Sequence, residues 1–342
     1  MEWIEPEYER RDVNAAAKEL LKNEALRGAE YQEASLIVNN WRYAHNYPLN
    51  TFKVTLRAYA KKAFPPAIVA ERRKRLESIL SKLQREPSMK LTQMQDIAGC
   101  RAIVGSVASV DRLVDIYQRS DLKHKLHHVK DYIASPKPSG YRGAHMIYEY
   151  FSDKRDTWNG LKVELQFRSP LQHVWATAVE TVGAFTKQAL KSSRGQAEWL
   201  RFFALMGSHI ARIEKTALVP NTPQDETELR SELSECATQL NAFSQLEGFQ
   251  SSIGAIDEPG LKESGYYLLE LNTASTPPSL NVTGYKKSDL KAAMFDSTKA
   301  EKNPDLNVVL VAVSSLKTLK RAYPNYYADT ESFLRILRKA VS

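Results

Sequence analysis

Two cysteines in 342 residues, Cys100 and Cys236, are too few for a disulfide framework or a cysteine-rich zinc site. No stretch approaches the roughly 18 uninterrupted apolar residues of a membrane span. The acidic start MEWIEPEYERR lacks the basic segment and apolar run of a secretion signal, so a cytoplasmic protein with no membrane partner is expected. Histidine is scarce, seven in all, and the helical N-terminal region has no clustered His and Asp pairs; this excludes a built-in metal-dependent phosphohydrolase there. Gly260 to Ser342 holds neither Cys nor His, so a zinc-finger-like fold in that stretch would stand on packing alone, without zinc. Internal repeats and low-complexity segments are absent.

What is present is an ordinary globular composition, 43% apolar and 26% charged, in a chain long enough for two cores. The net charge of +8 is concentrated: Lys53 to Lys90 carries 11 Lys/Arg against 3 Glu, and the remainder is balanced. Such a segment suits an anionic partner, nucleotide phosphates or RNA, or is a solvated helix face.

The opening helices contain Ala15, Ala16, Leu20 and Leu21 behind a cap at Asp12, then Leu36, Ile37, Trp41 and Tyr43. Ala67 to about Gln84 reads as a basic helix. A strand at Cys100 to Val104, a helix from Ser109 to Tyr117 and strands at Leu126 to Ile133, Ala144 to Phe151 and Leu161 to Phe167 follow, with Ser169 and Pro170 opening another helix. Helices near Gly195 to Lys215 and Glu226 to Leu246 lead to a small, separate α+β unit with strands at Tyr266 to Leu271 and Asn307 to Val313. Helices near Ser288 to Met294 and Asp329 to Ala340 belong to that unit.

Chemistry concentrates between Arg72 and Glu180. Leu161 to Arg168 alternates, placing Lys162, Glu164, Gln166 and Arg168 on one face. Asp96, just before another strand, is a second carboxylate; the two could share one Mg²⁺ completed by substrate phosphates, or Asp96 could simply pair with Arg101. Lys74, Ser78 and Lys82 fall on one helical face with the spacing of a triphosphate row, while Arg73 and Arg75 point elsewhere, to solvent or RNA. The loop from Lys130 to Gly143 presents Tyr141 for stacking on a base and Arg142 and Lys137 for phosphate, with Gly140 and Gly143 allowing close backbone approach.

These pieces, Arg72-x-Lys74-x-x-x-Ser78-Ile79-x-x-Lys82, Asp96-Ile97-Ala98-Gly99-Cys100-Arg101, Lys130-Asp131-Tyr132-Ile133 through Gly140-Tyr141-Arg142, and Val163 to Arg168 with Trp175, resemble the synthetase domain of the RelA/SpoT family. The resemblance spans about Thr51 to Lys215. It implies an α+β, mixed-sheet nucleotidyltransferase-like domain flanked by helices. It also implies a magnesium-dependent pyrophosphokinase that moves the β,γ-pyrophosphate of ATP to a ribose hydroxyl. Arg72 and Arg101 would sandwich adenine, Lys74, Ser78 and Lys82 hold phosphates, Asp96 and Glu164 bind Mg²⁺, and Glu164 assist deprotonation. Tyr141, Arg142, Lys137, Gln166 and Arg168 would receive the acceptor. Glu180-Thr181 stands where many relatives have a Glu-His pair.

Tyr323-Pro324-Asn325-Tyr326 near the C-terminus is similar to the Tyr-x-x-Tyr motif of fused toxin–antitoxin members of the toxic small alarmone synthetase group, CapRel-like proteins. There a pseudo-zinc-finger domain blocks the adenine site until a phage capsid protein draws it away, and the toxin modifies the tRNA 3′ CCA end. The implied division is N-terminal helices 1–50, synthetase 51–216, helical connector 217–259 and regulatory domain 260–342. The catalytic motifs equally permit GDP or GTP as acceptor, and a catalytically silent RNA- or nucleotide-binding protein is the third reading.

Overall fold

The structure is a computed structural model that describes residues 3–22, 28–186, 197–252, 255–257, 265–276, 278–303, 305–312 and 316–342. Three helices open it: α1 (Arg10–Lys22), α2 (Ala29–Ala44) and α3 (Asn46–Ala63). Val13, Ala16, Ala17 and Leu20 form the buried stripe of α1, and Asp12 lies inside its first turn rather than capping it. The stretch expected as one basic helix divides. Ile68–Arg73 is a strand, β1, and α4 (Leu76–Arg85) starts only after Arg75. A neighbouring strand pairs with the whole segment from Ile68 to Arg73 and a second one with Glu71 and Arg72, and those ladders outweigh the helical preference of the charged residues.

The chain continues through β2 (Ala98–Ile103), α5 (Val107–Gln118), β3 (Lys125–Asp131), β4 (Ala144–Glu149) and β5 (Lys162–Arg168). In α6 (Pro170–Phe185) the Ser169 hydroxyl accepts from the Gln172 amide while the Gln172 side chain returns to the Ser169 amide, and Pro170 fits the first turn. Four elements follow, α7 (Ala197–Glu214), α8 (Glu226–Gln239), α9 (Ala242–Ser252) and β6 (Ala255–Asp257). The C-terminal part contains β7 (Tyr266–Asn272), β8 (Ser279–Tyr285), α10 (Leu290–Ala300), β9 (Leu306–Ala312), α11 (Leu316–Ala322), a 3-10 turn at Pro324–Tyr327 and α12 (Glu331–Val341).

The strands form one mixed nine-stranded sheet in the order β3-β4-β5-β2-β1-β9-β7-β8-β6, parallel at β2/β5 and β6/β8. The C-terminal strands therefore do not make the separate unit expected from the sequence. The outer edge of β1 carries backbone groups that β9 satisfies, with Glu71 opposite Ala312 and Arg72 opposite Val311. The cores follow the same logic. The N-terminal helices pack with β2, β4, β5 and α5, whereas Phe333, Leu334 and Leu337 of α12 join residues of α6, α7 and α8 in a second core. A third cluster joins Ala70 of β1 to Val309 and Val311 of β9 and to Leu319, Tyr323 and Tyr326.

Candidate active site

Strand register assembles the site. Arg72 lies opposite Gly99, Gly99 opposite Glu164 and Glu164 opposite Ile147; two residues along, Ala70, Arg101, Gln166, His145 and Lys130 form the next row. Side chains alternate along strands, so Arg72, Arg101, Glu164, Gln166 and His145 share one face. Gly99 keeps its centre open, since a Cβ there would stand 3.3 Å from the Glu164 carbonyl oxygen.

Asp96 precedes β2 and pairs with two lysines instead of Arg101: Lys74 Nζ donates to Oδ2 at 2.7 Å and Lys82 Nζ to Oδ1 at 3.0 Å. Burial alone would raise its pKa, but the two ammoniums hold the carboxyl well below the usual range. Lys74 precedes α4, so the three expected phosphate ligands do not share a helical face; the two lysines converge on Asp96 from a link and a helix.

Glu164 is held at both oxygens. His145 Nδ1 lies 2.8 Å from Oε1, and Gln166 Nε2 donates to Oε2 at 2.6 Å. Burial pushes this carboxyl up, and the hydrogen bond and charge of His145 together with the Gln166 bond outweigh it, leaving it below its ordinary value. The opposite nitrogen of His145 is 2.5 Å from the Tyr141 hydroxyl, which also accepts from Arg168 Nη2 at 3.1 Å. Burial would raise the Tyr141 phenol, but Arg168 and His145 bring it down to about 7. His145 was missed from the sequence because β4 is buried on both faces and shows no alternation that would single it out.

The loop before β4 departs from expectation. Tyr141 is buried, with Lys137 Nζ 5.3 Å and the Arg168 guanidinium 5.2 Å from its ring centroid, so cations already lie against the ring expected to stack on a base. Arg142 is not placed for phosphate: its guanidinium is buried against Glu214 at 2.6 Å. Gly140, at φ +91°, serves packing, since a Cβ would fall 2.5 Å from the Phe203 carbonyl oxygen of α7. The basic segment is likewise not one surface. Lys53 is buried on Glu71 at 2.9 Å, Arg73 lies 4.4 Å from the Tyr43 ring centroid, and Arg75 donates to Asn307 at 3.1 Å.

A cavity of about 660 Å³ opens on this face, lined by Arg72, Lys74, Ser78, Asp96, Arg101 and Glu164 together with Tyr323 and Tyr326. Both tyrosines are buried; the Tyr323 hydroxyl donates to the Glu71 carbonyl at 2.7 Å, and the Arg321 carbonyl meets His173 Nε2 at 3.2 Å. The electrostatic neighbours of Arg72 are Glu180, Tyr326, Tyr323 and Asp96, which puts Glu180 beside the cavity as well. No helix among the described residues is long and apolar enough to cross a membrane.

Residues 71–187 match the family described as the region found in RelA / SpoT proteins. Over 110 residues the chain is 35% identical to the GTP pyrophosphokinase YwaC of Bacillus subtilis (strain 168), covering 30% of this chain and 51% of that protein. Over 126 residues it is 32% identical to the GTP pyrophosphokinase YjbM of the same organism, covering 36% and 59%. The chain thus spans little more than half the length of the curated relatives it matches. Similar solved structures include the small alarmone synthetase 1 of Bacillus subtilis bound to its product pppGpp (22% identity, TM-score 0.43, 50% of this chain and 89% of that one). Another is a GTP pyrophosphokinase family protein from Streptococcus pneumoniae (27% identity, TM-score 0.42, 50% and 86%). The segment that carries the cavity's Arg72, Asp96, Arg101 and Glu164 thus matches the region found in RelA / SpoT proteins and is similar in sequence to two GTP pyrophosphokinases.

Proposed function

We propose that this region transfers the β,γ-pyrophosphoryl group of ATP to a ribose hydroxyl. The observation that carries the reading is the convergence of Asp96, Glu164, Arg72 and Arg101 on one cavity, inside the segment similar to GTP pyrophosphokinases. Arg72 and Arg101 would stack on adenine, as planar guanidiniums can. Lys74, Ser78 and Lys82 would take the phosphates, the lysines turning from Asp96 to do so. Asp96 and Glu164 offer hard carboxylate oxygens, both kept ionised, a donor set that suits Mg²⁺ once substrate phosphates complete it. When bound, the ion would neutralise phosphate charge.

In the transfer, the acceptor oxygen bonds to the β-phosphorus and its proton passes to the Glu164 carboxylate. The bond from that phosphorus to the oxygen bridging the α-phosphorus breaks, and AMP departs with the electron pair. Positioning and charge neutralisation carry most of such chemistry. His145 and Gln166 fix the carboxylate that receives the proton.

The preferred acceptor is the 3′ hydroxyl of the tRNA CCA end, and Tyr323 and Tyr326 support this reading because they line the cavity beside Arg72 and Arg101, the place adenine would occupy. The chain would then be a restrained inhibitor of translation, released when a phage capsid protein binds the C-terminal segment. An intramolecular blocker acts at high effective concentration, so modest docking energy suffices. The second reading, a guanosine alarmone synthetase using GDP or GTP, is supported by the names of the relatives. The test uses γ-phosphate-labelled ATP with tRNA, GDP and GTP, on the wild type, Glu164→Gln and the double variant Tyr323→Ala/Tyr326→Ala. Label on tRNA that rises in the double variant supports the restrained form, label only on guanine nucleotides selects the second reading, and full activity of Glu164→Gln sinks the role of that carboxylate.

A further inference from the structure

The turn from β1 into α4, Lys74 to Leu76, is held from three directions. Arg42 of α2 donates from Nε and Nη2 to the Lys74 carbonyl at 3.2 and 3.1 Å, and Asn307 of β9 accepts from Arg75 at 3.1 Å. Glu301, at the C-terminal end of α10, takes the Leu76 amide on Oε2 at 3.4 Å and the Arg42 guanidinium on Oε1 at 3.0 Å. Two of these holds come from the C-terminal part of the chain, and Arg42 leans on one of them.

The first amides of a helix have no partners within it, and a side-chain oxygen just ahead of the helix usually accepts from one of them. In α4 that position is Arg75, whose side chain has no acceptor. Glu301 supplies one from 225 residues along the chain, and its charge suits the positive end of the helix dipole. Its ion pair with Arg42 is buried. Such a pair adds little net stability over apolar residues of similar volume; what it contributes is a fixed geometry. The geometry fixed here is that of the cavity wall, since Lys74, Ser78, Ser81 and Arg85 of this turn and helix line it. The Lys74 amide is tied to the Ile97 carbonyl at 2.8 Å and the Lys74 carbonyl to Arg42, so the side chain can leave Asp96 without moving its backbone.

We propose that Glu301 is a positioning residue for the nucleotide: through Arg42 and the Leu76 amide it fixes the start of α4, so that the C-terminal part builds the phosphate-binding wall of the cavity besides covering it. That the ligand is the triphosphate of ATP rests on the transfer reading; the hold on α4 does not. The two tyrosines stand on a different element, the 3-10 turn after α11, and can leave the cavity while α10 and β9 stay in place. Release confined to that turn gives a competent site, whereas stripping away the whole C-terminal part loosens it.

The test compares full-length Tyr323→Ala/Tyr326→Ala with the same chain also carrying Glu301→Gln, whose side chain offers one acceptor oxygen to two donors. Without nucleotide, amide hydrogen exchange over residues 76–80 should be at least about tenfold faster in the Gln variant, with α5 unchanged. An uncleavable analogue, α,β-methylene-ATP with Mg²⁺, should bind at least about tenfold (~1.4 kcal/mol) more weakly by calorimetry, while adenosine, which lacks the phosphates, binds both proteins equally. Should Glu301→Gln not fold, Glu301→Asp, too short to reach both Arg42 and the Leu76 amide, must show the same split. Unchanged exchange in α4, equal affinity for the analogue, or analogue and adenosine weakened by the same factor overturns the proposal, the last because it marks general damage. If the analogue binds neither protein, the assignment to ATP falls together with the transfer reading, and the exchange measurement still decides the hold on α4.

Discussion

His173 illustrates how a single side chain records its surroundings. Burial, then Arg101 and Arg168, bring its imidazole down to about 3, with Glu180 opposing. Unfolded, it would take a proton near its ordinary value of ~6.5. Between those values the unfolded chain binds more protons than the folded one, so stability rises with pH and is lost as the solution is acidified through that window. The slope approaches ~1.4 kcal/mol per pH unit. Replacing His173 with Gln should flatten this part of the profile in urea unfolding series. His45, brought down to about 4 mainly by burial, acts in the same direction, so the comparison is between variant and wild type. Little of this was legible beforehand. Arg101, Arg142 and Arg168 look alike in a sequence, and only distant partners tell them apart: Glu214 for Arg142, and for Arg168 the Tyr141 hydroxyl and Gln166 with no carboxylate among the described residues.

Single elements show where patterning suffices. The alternation of β5 placed Glu164 and Gln166 correctly because Val163, Leu165 and Phe167 are fully buried on the opposite face. β1 misled because three apolar residues followed by five charged ones fit a helix as well as a strand, and its partners β2 and β9 are remote in the chain. In the loop ahead of β4, read as ligand-binding for Tyr141, Arg142 and Lys137 with its glycines allowing close approach, Gly140 fits against α7, with Gly207 returning the contact: a Cβ on Gly207 would meet the Gly140 Cα at 2.8 Å. Gly140→Ala should therefore destabilise the fold by roughly 1–3 kcal/mol, read as a lower urea midpoint, since both φ and space forbid the methyl group.

At the scale of the molecule, the C-terminal part is built into the sheet and into the N-terminal helices. Arg42, on α2, donates to Glu301 at 3.0 Å and to the Lys74 carbonyl, and Tyr43 donates to the Met294 carbonyl at 2.9 Å. Replacing Glu301 with Ala would strand a buried guanidinium at a cost of about 3–5 kcal/mol, measurable by denaturant unfolding. Cutting the chain near Gln250 would bare the edge of β1 and the apolar faces of Ala70 and Tyr43, so the shortened protein should self-associate in light scattering. Point substitutions at Tyr323 and Tyr326 avoid this. The position of β9 also sets a clock on biosynthesis. A ribosome adding ~5–20 residues per second needs about 6–24 s to go from the end of the matched region to Leu306. Throughout that interval β1 has emerged with one neighbour only, and a nascent chain would carry its cavity without the tyrosines that line it when synthesis is complete.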